Sequence, residues 1–140
     1  MRKLIIPVLT GALLASLVAF RVSDGERWKA PEEAKKLQSP LKPSSGVIAD
    51  GKFLFKQNCK ACHGAGGKGD GEVSKTLKAR CADLTSVMVQ QQTDGELYYK
   101  LSAGRVEMPG FKDLLTSQER WSLIHYIRTL DEGAEASGEY

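Results

Sequence analysis

The residues Cys59-Lys60-Ala61-Cys62-His63 carry the most chemistry in this chain. C-x-x-C-H is the pattern on which haem is attached through two cysteine sulfurs. Two cysteines three positions apart lie on one side of a helical turn, so both reach the vinyl-derived edge of one porphyrin. The next residue, His63, then lies under the ring and offers its imidazole to the iron as proximal ligand. Other uses of the motif need other surroundings. A thioredoxin-like C-x-x-C sits in a βαβ context, whereas the flanks here read as helix, Gly-rich loop and helix. Structural zinc wants a second pair of ligands, and the only other Cys and His are Cys81 and His125.

An iron held by His63 has a second axial position. Outside the N-terminal segment the candidates are Met88, Met108 and His125. Met108 leads them. It precedes Pro109 and Gly110 in a non-periodic stretch between two helices, where a loop can present its thioether to the open haem face. Met88 lies among Leu84, Val87 and Val89, where a Met is more often core filler than ligand. His125 sits in a helix and reads most simply as partly exposed. The loop from Gly64 to Gly71 is not a phosphate cradle, because that needs G-x-x-x-x-G-K-[S/T] after a strand, and Gly69 follows Lys68. It reads as a loop that lets backbone pass close to the haem edge.

Three main helices must position these groups. Val47, Ile48, Gly51, Phe55 and Cys59 recur with helical spacing behind a Ser44 or Ser45 cap. Thr93-Asp94-Gly95-Glu96 is a capping box leading into Leu97, Tyr98 and Leu101, closed by Gly104. Thr116 to Glu119 repeats it before Trp121, Ile124, Ile127 and Leu130, with Gly133 as the stop. A short helix is expected at Glu72 to Lys78. No alternating strand pattern is present, so the class is all-α.

In these features the chain resembles the class I, mono-haem bacterial cytochromes c, over about Val47 to Leu130. Gly51, Phe55 and Cys59 to His63 match that family's first helix, Met108-Pro109 its ligand loop, and Leu123 and Tyr126 its last helix. The resemblance implies a cytochrome c fold wrapped around one covalent haem c, with Cys59 and Cys62 as thioethers and His63 and Met108 as axial iron ligands. It also implies that the terminal helices cross at Gly51, where Gly51 and Phe55 meet Leu123 and Tyr126. One departure is Cys81, near Asp83-Leu84, where the family often has Pro or another small residue. It reads as a small, partly buried residue; an odd cysteine in an exported chain also reads as a free thiol or an intermolecular partner.

The 140 residues leave room for one such domain. Net charge is +3. Residues 1–22 contain Arg2, Lys3 and Arg21 and no acid, so the remainder is close to neutral and no nucleic-acid role follows. Arg2 and Lys3 precede the apolar run Leu4 to Phe20, a helix of about 26 Å at ~1.5 Å per residue, at the lower edge of a membrane span. The run ends without an A-x-A-like cleavage site, which favours a retained anchor over a cleaved signal peptide. Either fate places the bulk of the chain on the periplasmic side of an inner membrane. Residues 22–46, rich in Pro, Lys and Ser, are expected to be a flexible linker, with a short helix at Ala30 to Leu37 and Trp28 either packed on the domain or at the membrane interface. The domain then covers 47–131, and 132–140 form an acidic tail.

Together these expectations describe an electron carrier rather than an enzyme. Iron with both axial positions filled by protein has none left for substrate. The implied partners are redox proteins that dock briefly: a quinol-oxidising complex or dehydrogenase as donor, a terminal oxidase as acceptor. The alternatives are a haem-based sensor or a haem subunit of a larger oxidoreductase complex.

Overall fold

The computed structural model describes residues 28–131. The apolar run and the acidic tail lie outside them, and among the described residues no helix is long and apolar enough to cross a membrane. Five helices follow one another: α1 (Ser45–Asn58), α2 (Lys60–His63), α3 (Val87–Gln90), α4 (Asp94–Ala103) and α5 (Ser117–Arg128). There is no strand among the described residues, only an antiparallel bridge between Arg105 and Met108.

Local sequence explains where the long helices start. Ser44 accepts the Val47 amide and caps α1. Thr93 with Glu96, and Thr116 with Glu119, form complete capping boxes on α4 and α5, so each start satisfies two otherwise orphaned donors. The end of α5 differs from expectation. It stops at Arg128, well short of Gly133, because Thr129 takes the cap and its hydroxyl donates to the Tyr126 carbonyl at 2.7 Å. Leu130 therefore packs on the core from beyond the helix. The expected helix at Glu72 to Lys78 is a 3-10 turn at Glu72–Thr76.

The core forms where α1 crosses α5. Phe55 and Tyr126 meet edge to face at 5.2 Å, and Phe55, Leu123 and Ile124 are fully buried. A Cβ on Gly51 would overlap the Ser122 carbonyl and lie 2.8 Å from Tyr126 Cβ. This is the crossing that the resemblance implies.

The stretch expected to be a flexible linker is instead packed on the domain from Ala30 onward. Ala30 and Ala34 are buried, and the 3-10 turn Glu32–Lys36 lies on α4 at Gly95, where a Cβ would overlap the Ala34 carbonyl. Farther along, Ser39 Oγ bonds His125 Nε2 at 2.9 Å. That contact buries His125 to 8% exposure, against the partly exposed position its sequence context suggested.

Candidate functional site

Cys59 to His63 form one turn, with the His63 amide donating to the Cys59 carbonyl at 2.8 Å. The Gly-rich loop docks on the back of this turn: the Gly71 amide reaches the Cys62 carbonyl at 3.1 Å and the Gly69 amide the His63 carbonyl at 2.8 Å. It thus supports the motif from behind, and its residues do not border the cleft in front.

His63 Nδ1–H donates to the Ala82 carbonyl at 3.1 Å. A carbonyl can only accept, so this bond fixes the tautomer and leaves the Nε2 lone pair for another partner, the usual arrangement for a metal-ligating imidazole. Burial pushes the His63 pKa below its ordinary value, with the Ala82 bond partly opposing. The net lowering suits a neutral ligand rather than an imidazolium.

Across the cleft, Met108 is held by a tight reversal of the chain. Arg105 and Met108 exchange both backbone hydrogen bonds, at 2.9 and 3.0 Å, and Val106 between them has φ +52°. The Glu107 carboxylate accepts the Lys78 and Ala79 amides at 3.1 and 2.8 Å, tying this turn to the loop before Cys81. Beyond it, the Phe111 amide returns to the Leu101 carbonyl on α4.

Between His63 and Met108 lie two adjoining cavities of about 560 and 550 Å³, each within the range of small-molecule sites. Cys59, His63, Met108, Ala82 and Trp28 border both. Leu84, Val89, Leu97, Leu101 and Ile127 make one half apolar; Leu77 and Phe111 serve the other. Cys62 opens on the second. A flat apolar macrocycle with two sulfur attachments and two axial donors fits this chamber. Of the other ligand candidates, His125 borders neither cavity, its Nε2 being engaged by Ser39. Met88 is 57% exposed on the rim, not the core filler its aliphatic neighbours suggested, because α3 is a single turn lying on the surface.

Cys59 does not have the electrostatics of a redox nucleophile. Burial, helped by Cys62, pushes the Cys59 pKa up to about 12, whereas a reactive C-x-x-C nucleophile has it lowered. Cys81 is partly buried beside the motif; burial, then Cys62, raises its pKa. Among the described residues no three His, Cys, Asp or Glu side chains group to hold a metal ion.

Sequence reasoning missed two contributors, the Ala82 carbonyl and the Glu107 tie. It left Trp28, a lone aromatic in a polar stretch, open between packing on the domain and the membrane interface.

Comparison with known proteins agrees with this fold. Residues 46–127 match the profile of the family described as cytochrome c oxidase, cbb3-type, subunit III. Among solved structures, a chain of the Kuenenia stuttgartiensis reducing HAO-like protein complex Kustc0457/Kustc0458 is 28% identical with a TM-score of 0.61, over 67% of this chain and 48% of that one. The KustC0563 c-type cytochrome is 30% identical with a TM-score of 0.52, over 59% of this chain and 99% of that one. The chain thus spans about half the length of the first of these relatives. No curated protein matches it.

Proposed function

Because the chain belongs to the cbb3-type cytochrome c oxidase subunit III family, a cytochrome c domain carrying covalent haem c with its iron, we propose that it moves single electrons in a respiratory or periplasmic chain through a His63/Met108-ligated haem. Bound there, the haem supplies a one-electron ferric/ferrous couple. Cys59 and Cys62 are the attachment sulfurs. His63 holds its Nε2 lone pair towards the cleft, and Met108 offers its thioether from the opposite wall.

The observation that carries this reading is the His63–Ala82 hydrogen bond, which prepares one nitrogen for a metal on a residue directly following the two cysteines. Were His63 and Met108 both to hold the iron, no position would be left for a substrate, which supports electron transfer. A thioether ligand beside an imidazole would favour the ferrous state and raise the potential.

Arg2 and Lys3 ahead of Leu4 to Phe20 support export, with the domain held on the periplasmic side of the inner membrane. Partners on this reading are redox proteins: a quinol-oxidising complex or dehydrogenase as donor and a terminal oxidase as acceptor, docking through small, transient interfaces.

The test is the visible spectrum of the exported protein, oxidised and reduced, in wild type and Met108→Ala. Low-spin c-type bands, with the ferric long-wavelength thioether band lost in the variant, are expected. A wild-type spectrum that is high-spin, or carbon monoxide binding to the reduced protein without displacing Met108, would overturn the ligand pair and favour a sensor. Cys59→Ala/Cys62→Ala should abolish covalent loading.

A further inference from the structure

The family match begins at residue 46, yet the chain is already built onto the domain well before that point. Residues 28–41 form a strap held at three places. At one end the Trp28 ring lies 5.8 Å from Lys100 Nζ and 6.0 Å from Arg105 Cζ, two cations on opposite sides of the α4 terminus and within cation–π reach. In the middle, Ala34 and Leu37 press their carbonyls against α4 so closely that Gly95 has no room for a Cβ. At the other end Ser39 bonds His125 on α5 and also accepts the Leu41 amide at 3.1 Å.

The position of Trp28 matters more than its anchorage. Five residues border both halves of the cleft. Four belong to the proposed haem attachment and ligation: Cys59, His63 with the Ala82 that orients it, and Met108. The fifth is Trp28. Trp28 thus borders both halves of the cleft from outside the family match.

We infer that the strap is a wall of the haem site, with Trp28 closing one edge of the cleft against the porphyrin and limiting its contact with water. This rests on the haem reading above and assigns a cofactor-contacting role to a segment outside the family domain. Water at a haem edge stabilises the more highly charged ferric state, so removing the indole lowers the reduction potential. The large aromatic face is what covers the edge, so Phe in its place restores most of the effect.

The test uses the full-length holoprotein as wild type, Trp28→Phe, Trp28→Ala and Gly95→Ala, with covalent haem content and visible spectrum recorded first. In ¹⁵N-labelled wild type, the indole N–H signal that Trp28→Phe removes should shift strongly between the ferrous and ferric states. Trp28→Ala should lower the midpoint potential, Trp28→Phe should stay near wild type, and Gly95→Ala, which lifts the strap with its indole intact, should move the potential in the direction of Trp28→Ala. Haem loaded normally, with an indole signal blind to oxidation state and a potential the same in all four proteins, would overturn the strap's role. Failure of wild type to load haem would instead sink the haem reading. If Trp28→Ala does not hold haem, the wild-type indole signal decides on its own.

Discussion

The Cα of Gly51 faces the Ser122 carbonyl at a separation that leaves no space for even a methyl group between α1 and α5. The fully buried Phe55 and Leu123 depend on that approach, since both lie along the same crossing. Gly51→Ala should therefore cost more than its improved helix propensity returns: roughly 1–3 kcal/mol for forcing a packed interface apart, or a fall in Tm of about 4–8 °C per kcal/mol in a domain of this size. Thermal unfolding of the holoprotein reads it. An unchanged or raised Tm would mean that the helices cross elsewhere.

Glu107 acts on the site through its neighbour. Its carboxylate receives two backbone amides from Lys78 and Ala79, so the turn that offers Met108 is braced against the loop leading to Cys81 and Ala82. Glu107→Ala removes the brace without touching a proposed ligand. The ferric thioether band should then bleach at a lower temperature than in wild type, while Glu107→Gln, which keeps one acceptor, falls between. Identical bleaching in all three would show that the turn holds Met108 unaided.

Much of this architecture is legible in the sequence because it is local. The capping boxes at Thr93 and Thr116 and the turn at Cys59 to His63 each need fewer than six residues to specify. Gly51 is legible for a different reason: an interior helix glycine is costly unless something must come close. The strap is legible only in part, as the short helical turn within Ala30 to Leu37 and one of two readings of Trp28; its docking is not, because Pro, Lys and Ser describe a solvated chain and the attachment runs through two alanines, backbone carbonyls and the Ser39–His125 bond, 86 residues apart in sequence. Arg128 was silent for the same reason. Its guanidinium gathers Asp94 and the Gln90 carbonyl, both at 2.7 Å, onto the end of α5, and nothing near Arg128 in the chain announces that fork.

Val106 holds a left-handed backbone, φ +52°, with its side chain 82% exposed. A β-branched residue is poorly suited to that region, and the misfit is worth about 1–2 kcal/mol. Val106→Asn, which tolerates the conformation, should raise Tm while leaving the visible spectrum of the Met108-ligated haem intact. A lowered Tm would show that the exposed Val packs on something that compensates for its backbone.

Glu119 links stability to acid. The Thr116 backbone amide, then its hydroxyl, hold the Glu119 carboxyl below its ordinary pKa of 4.5. A folded-state pKa below the unfolded one means stabilisation that is fully present above about pH 4.5 and is lost as pH falls through the folded value. Glu119→Gln keeps an oxygen acceptor for the Thr116 amide but cannot titrate. Its Tm should therefore lie below wild type near neutral pH, because a charge-assisted bond has become a neutral one, and the two curves should converge as acid protonates the wild-type carboxyl. Comparing the variants by thermal melts from about pH 7 down to about pH 3 isolates this group from Glu96 and Asp83, whose pKa values are lowered in the same direction but which both proteins share. Parallel curves across that window would show that the box at the start of α5 contributes nothing that depends on its charge.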